Sequence, residues 1–165
     1  MSAMPDQTKV VVINTTPLIA LTAATGNLDV LRYLYSRVVV PYEVAKEIRA
    51  GGRDSFGIEV FEQASWLEVR PEPLELMPYL QNTLDSGEAS VIQTALQLGI
   101  TLVCIDELLG RRTARLSNLN VTGAIGVLLK AKSTGYSISM PDAISRMREH
   151  GIWLSQTVIN FALTH

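Results

Sequence analysis

Asn14, Glu47, Glu88 and Asp106 put three carboxylates and one amide at points where the chain passes from one element into the next, or shortly after. Such oxygens are hard ligands suited to magnesium or manganese, and the absence of any Cys or His cluster disfavours zinc. Without a cation, close carboxylates repel one another and tend to take up protons. Around one, they support acidification of a water and stabilisation of charge on a phosphate under attack, the two services phosphodiester hydrolysis needs most. The plainer alternative is that acids on helices are solvated surface charges, with Glu88 an acid favoured by the dipole at a helix start. Glu107, directly after Asp106, is open to the same two readings and is an auxiliary ligand in the first of them.

These residues converge only if the elements carrying them share one edge of a sheet. Residues 9–13 are a β-branched run that reads as a buried parallel strand, ended by Asn14 and followed by a helix with Pro17 in its first turn. Further strands are predicted over residues 38–40, 66–69, 101–105 and 120–122. Between them lie helical patterns: Leu28 to Tyr35, a helix opened by Pro41 and closed by Gly51-Gly52, residues 57–64, two stretches broken near Ser86-Gly87 with Gly99 as the final cap, 107–116 and 123–132. Five strands alternating with helices give an α/β fold with a central five-stranded parallel sheet and helices on both faces, because parallel strands need long crossovers. Ligands in such sheets gather beyond the strand C-termini. Asn14 and Asp106 directly follow strands, Glu47 lies about two turns into the helix after the second strand, and Glu88 opens the helix leading to the fourth.

The remaining residues add less. Eight acids against one base between Asp54 and Glu88, and five bases against one acid between Glu107 and Lys132, concentrate opposite charge in two segments of a chain whose net charge is −2. A polyanion favours the second, where Arg111, Arg112 and Arg115 follow Asp106 and Lys130 and Lys132 extend the track, unless this is an ordinary solvated basic face. Trp66 and Trp153 are expected in the core rather than stacked on bases, Cys104 is expected to be a buried hydrophobe, and His150 and His165 to lie on the surface. No G-x-G-x-x-G follows the first strand, which removes the support for a dinucleotide site.

A chain of 165 residues, 47% hydrophobic and 18% charged, is long and apolar enough for one globular domain over residues 9–165, with a core over about 9–132 and a C-terminal helical appendage over about 141–163 that packs on it or mediates a homodimer. Residues 1–8 are expected to be a flexible N-terminus. No apolar run reaches the roughly 20 residues of a membrane span, and a lone cysteine fits a reducing compartment, so cytoplasm is the expected location.

Five segments in order, Val12-Ile-Asn-Thr-Thr-Pro-Leu18, Pro41-Tyr-Glu-Val-Ala-Lys-Glu-Ile48, Ser86-Gly-Glu-Ala-Ser-Val-Ile-Gln-Thr-Ala95, Leu102-Val-Cys-Ile-Asp-Glu-Leu-Leu-Gly-Arg-Arg112 and Val121-Thr-Gly-Ala-Ile-Gly-Val-Leu-Leu-Lys-Ala-Lys132, resemble the PIN-like proteins. The likeness covers about residues 10–132 and is to a subgroup encoded beside small antitoxin-like partners. It implies a three-layer PIN-like fold and a metal-dependent endoribonuclease that acts on RNA with Mg2+ or Mn2+, like the toxin of a bacterial toxin and antitoxin pair. The family's four acidic positions fall on Asn14, Glu47, Glu88 and Asp106, and its Ser or Thr after the first falls on Thr16. At Asn14 an amide replaces the acid, which keeps an oxygen but removes a full charge, so weaker metal binding is expected. That change also favours a second reading, a catalytically weakened module that binds nucleic acid or protein.

Overall fold

A computed structural model describes residues 9–51 and 55–165; the expected N-terminal tail, residues 1–8, and Gly52 of the predicted helix end lie outside the described residues. Among the described residues the chain runs β1 (Val10–Ile13), α1 (Thr15–Thr25), α2 (Asp29–Leu34), β2 (Arg37–Val40), α3 (Tyr42–Ala50), α4 (Phe56–Gln63), β3 (Glu68–Val69), α5 (Pro78–Thr83), α6 (Ser86–Leu98), β4 (Leu102–Cys104), α7 (Leu108–Leu116), β5 (Asn120–Thr122), α8 (Ala124–Ser133), α9 (Met140–Glu149) and α10 (Gln156–Thr164). The strands form one sheet in the order β3-β2-β1-β4-β5, and every pairing is parallel. This is the α/β architecture with a five-stranded parallel sheet that the alternation predicts.

All four residues of β1 are buried, as a strand enclosed by helices on both faces requires, and this is why it reads as an unbroken β-branched run rather than an alternating one. The helix after it, α1, is also buried nearly all round, through Leu18, Ala20, Leu21, Ala23 and Ala24. Such a helix needs cover on every side. It packs against α3, α4, α8 and α9. Met140, Ala143, Ile144 and Met147 of α9 are all buried, so α9 closes the core over α1, and α10 rests on α9 through Ile159 and Ala162.

Three local differences from the sequence expectation have physical causes. The third strand is cut to Glu68–Val69 because the chain is still turning before it, the Leu67 N–H donating to the Ala64 carbonyl at 3.1 Å rather than to β2. The break expected at Ser86-Gly87 lies one step earlier: the Asp85 side chain accepts the Glu88 N–H at 2.8 Å and so starts α6 at Ser86. Trp66 packs partly buried against the core, but Trp153 is 83% exposed, contrary to the core position expected for it. In its extended link Ile152 and Leu154 pack inward, and alternation points the residue between them out. Cys104 is fully buried and its thiol pKa is pushed well above the usual range, chiefly by that burial, and His150 and His165 are exposed, as expected.

Candidate functional site

In the order β3-β2-β1-β4-β5 the chain builds outward from β1 to one side, then returns to build the other, so the switch point lies between β1 and β4. Crevices beyond the strand C-termini at such points are where open α/β sheets bind ligands. Asn14 ends β1 there, its backbone N–H donating to the Cys104 carbonyl of β4 at 3.1 Å. The Asn14 side chain does not cap α1, and its Oδ1 is buried without a hydrogen-bond partner. An amide oxygen left bare in the interior costs about 1–3 kcal/mol, so its surroundings carry information.

Those surroundings are acidic. A Cβ placed on Gly87, in the first turn of α6, would meet Glu47 Oε2 at 3.0 Å, Asn14 Oδ1 at 3.2 Å and Asp85 Oδ1 at 3.5 Å. Three elements thus deliver one oxygen each to the floor that Gly87 leaves open. Thr15 donates its hydroxyl to Glu47 Oε2 at 2.9 Å and fixes that side chain from the start of α1. Glu88 is 5% exposed and lies under Gly110 of α7, whose own Cβ would stand 3.3 Å from the Glu88 carboxyl carbon. Burial first, then the charges of Asp85, Glu107 and Glu47, push the Glu88 pKa up to about 7. At the rim, the exposed Thr16 hydroxyl donates to Glu107 Oε1 at 3.4 Å. Among the described residues the ion pairs are Arg37–Glu68 and Arg49–Glu62, neither of which involves this cluster.

Asp106 faces differently. Its Oδ1 accepts the Ala124 N–H at 2.8 Å, at the start of α8, and this bond and Arg111 lower its proton affinity while burial, the larger effect, and Glu107 raise it. Arg111 donates to the Ile105 carbonyl at 2.8 Å and is therefore part of this corner rather than a free cation. Gly123 permits the arrangement, since a Cβ there would fall 2.5 Å from Asp106 Oδ1. Arg112 and Arg115 are exposed on α7. Lys130 and Lys132 lie in the last turn of α8, which starts at this edge of the sheet and runs away from it, and Lys130 stands over the Tyr35 ring at 5.9 Å, just before β2 begins. The structure thus brings Asn14, Glu47, Glu88 and Glu107 together, leaves Asp106 at the neighbouring corner, and separates the lysines from both.

A family model described as a PIN domain matches residues 10–165. The chain belongs to the PIN domain family. The match reaches past the expected core to the end of the chain and takes in α9 and α10. No curated protein matches the chain. PIN domains have a nuclease-type fold and are in general dependent on a divalent metal. The donors of this PIN domain fit such a cation in kind: hard oxygens, one of them an orphaned buried amide, gathered with no described cation to balance them. Among the described residues no group of three or more His, Cys, Asp and Glu side chains is arranged so as to hold a metal ion. Thr15, Asp85 and the floor at Gly87 escaped the sequence reading. The signal for Asp85 was present, an Asp three residues before an acid at a helix start.

Proposed function

We propose that this PIN domain is a metal-dependent endoribonuclease that hydrolyses RNA phosphodiester bonds with Mg2+ or Mn2+, in the manner of the toxin of a toxin and antitoxin pair. The observation that supports this reading best is the unbalanced acidic cluster around the buried Asn14 Oδ1 at the switch point. Asn14, Glu47 and Glu88 would hold the cation, with Asp106 and Glu107 as the flanking carboxylates. Bound there, it would supply charge stabilisation for the phosphate and acidify a water. In hydrolysis a water attacks phosphorus, the bond to the leaving ribose oxygen breaks, and the proton of the water needs an acceptor. A carboxylate of the cluster would take it, and a cation held by Glu88 would lower the proton affinity that this side chain has in the metal-free fold. Thr15 and Thr16 orient Glu47 and Glu107, and Arg112 and Arg115 offer exposed charge to the RNA backbone. A small antitoxin-like protein as partner and a cytoplasmic location belong to the same proposal; no helix among the described residues is long and apolar enough to cross a membrane.

The test is cleavage of single-stranded and structured RNAs by the purified chain with Mn2+, Mg2+ or EDTA. The expected result is metal-dependent cutting that falls at least about 100-fold in Glu88→Gln and Asp106→Asn, the scale of removing a general base or a charge-stabilising group. Asn14→Asp is expected to raise it. The uncharged amide at position 14 favours one rival, a binding module with a weakened site. Wild type that cuts nothing, together with an Asn14→Asp variant that does, would decide for the rival.

A further inference from the structure

We infer that Asp85 carries the negative charge that Asn14 lacks, serving as an oxygen ligand or positioning group for the divalent cation from the N-terminus of α6. The inference rests on the metal-binding reading above. Its basis is geometric: Asp85 Oδ1, Glu47 Oε2 and Asn14 Oδ1 surround the same open floor, at 3.5, 3.0 and 3.2 Å from where a Gly87 Cβ would be. Asn14 is 4% exposed, its Oδ1 is unpartnered, and it is aimed into this cluster, so the gathering of acids is accompanied by an independent observation, a buried acceptor that a cation would satisfy. The family's first acidic position, as the resemblance assigns it, falls on the amide of Asn14, whereas Asp85 lies on a different element and is not among the four positions. Charge has thus left the end of β1 and is available again across the cleft, where helix α6 starts.

Asp85 also has a structural duty. Its Oδ1 accepts the Glu88 N–H at 2.8 Å, which caps α6 and fixes the backbone of Glu88. A role limited to capping would depend on the acceptor oxygen and not on the charge, because Asn caps a helix about as well as Asp. The two roles therefore separate on Asp85→Asn, which keeps the acceptor and removes the charge. A site with oxygen ligands tunes its affinity by the number of charged ligands. Moving a charge from one side of the cation to another should then be interchangeable to a first approximation.

The experiment is calorimetric titration of Mn2+ into the full chain at pH 7.5, for wild type, Asp85→Asn and the double variant Asn14→Asp/Asp85→Asn, with melting in EDTA as a second readout. Asp85→Asn is expected to bind Mn2+ about tenfold more weakly, about 1.4 kcal/mol, with a metal-free melting temperature within about 2 °C of wild type. The double variant is expected to recover wild-type affinity to within about threefold. Unchanged Mn2+ affinity in Asp85→Asn would overturn the inference and leave the metal reading standing. So would a loss accompanied by a larger drop in metal-free stability, which marks a cap alone, or one that Asn14→Asp fails to restore, which marks a charge that does not stand in for the one missing at position 14. Wild type that takes up no Mn2+ at millimolar concentration would remove the metal reading and this inference together.

Discussion

Glu88 is nearly inaccessible and surrounded by charge of its own sign, so its carboxyl holds a proton up to about pH 7 in the metal-free fold, against an ordinary value of 4.5. Between those two values the folded chain binds more protons at this group than the unfolded chain. The contribution of Glu88 is therefore fully favourable below about 4.5 and is lost as pH rises through 7. Glu88→Gln removes the titration, and its advantage should open over the same window. In EDTA the variant is expected to melt with wild type at pH 4.5 and about 2–4 °C above it at pH 8, the shift that about 1 kcal/mol produces in a chain of this size. A difference that stays constant between the two pH values would sink the account. Sequence grouped Asn14, Glu47, Glu88 and Asp106, with Glu107 as an auxiliary, because strand ends, helix starts and, for Glu47, helical register fix where each stands. It did not reveal that Thr15 rather than Thr16 reaches Glu47, nor that Asp106 turns its Oδ1 to Ala124, since both depend on side-chain rotation within a correctly predicted element.

The elements hold these side chains through a few places where backbone must come close. Gly123, at the junction of β5 and α8, is one: its φ of −137° suits any residue, so the requirement is space and not conformation. A Cβ there would lie 2.5 Å from Asp106 Oδ1 and 2.9 Å from Arg111 Nη1. Gly123→Ala is expected to displace both side chains, release the Ala124 N–H, and lower stability by about 1 kcal/mol, the usual value of one such bond. Hydrogen exchange at Ala124 should then quicken while the amides of β1 keep their protection; unchanged exchange would mean that Asp106 is not held as described. The strands were legible at this scale because their apolar runs are bounded by turns, whereas the short β3 was overread: Trp66 and Leu67 have strand-like side chains but lie in the turn that leaves α4, where the Leu67 N–H is bonded to the Ala64 carbonyl.

At the scale of the molecule, α1 decides what the C-terminal helices are for. It carries Asn14, Thr15 and Thr16 at its start and is buried along nearly its whole length, with α9 as one wall. Arg146 of α9 donates to the Ala24 carbonyl at 3.0 Å, satisfying an acceptor at the end of α1, and Met140 and Met147 are each 1% exposed. Periodicity identified α9 and α10 as helices, but the even burial of α1 gives no directional signal, so which neighbour covers it was not readable from sequence. Removing residues 140–165 should therefore strip a wall from the element that starts the site. The expected product keeps its far-ultraviolet helical signal, loses near-ultraviolet dichroism and binds a hydrophobic dye. Removing only residues 156–165 uncovers Ile159 and Ala162 contacts and should leave cooperative melting. Met147→Ala, which leaves a cavity rather than a missing wall, is expected to cost about 2–5 kcal/mol in urea denaturation with the slope unchanged. If the chain ending at residue 139 instead melts cooperatively with native near-ultraviolet dichroism, then α1 is stable without α9, and the packing of Met140 and Met147 serves something other than holding the acidic cluster in place.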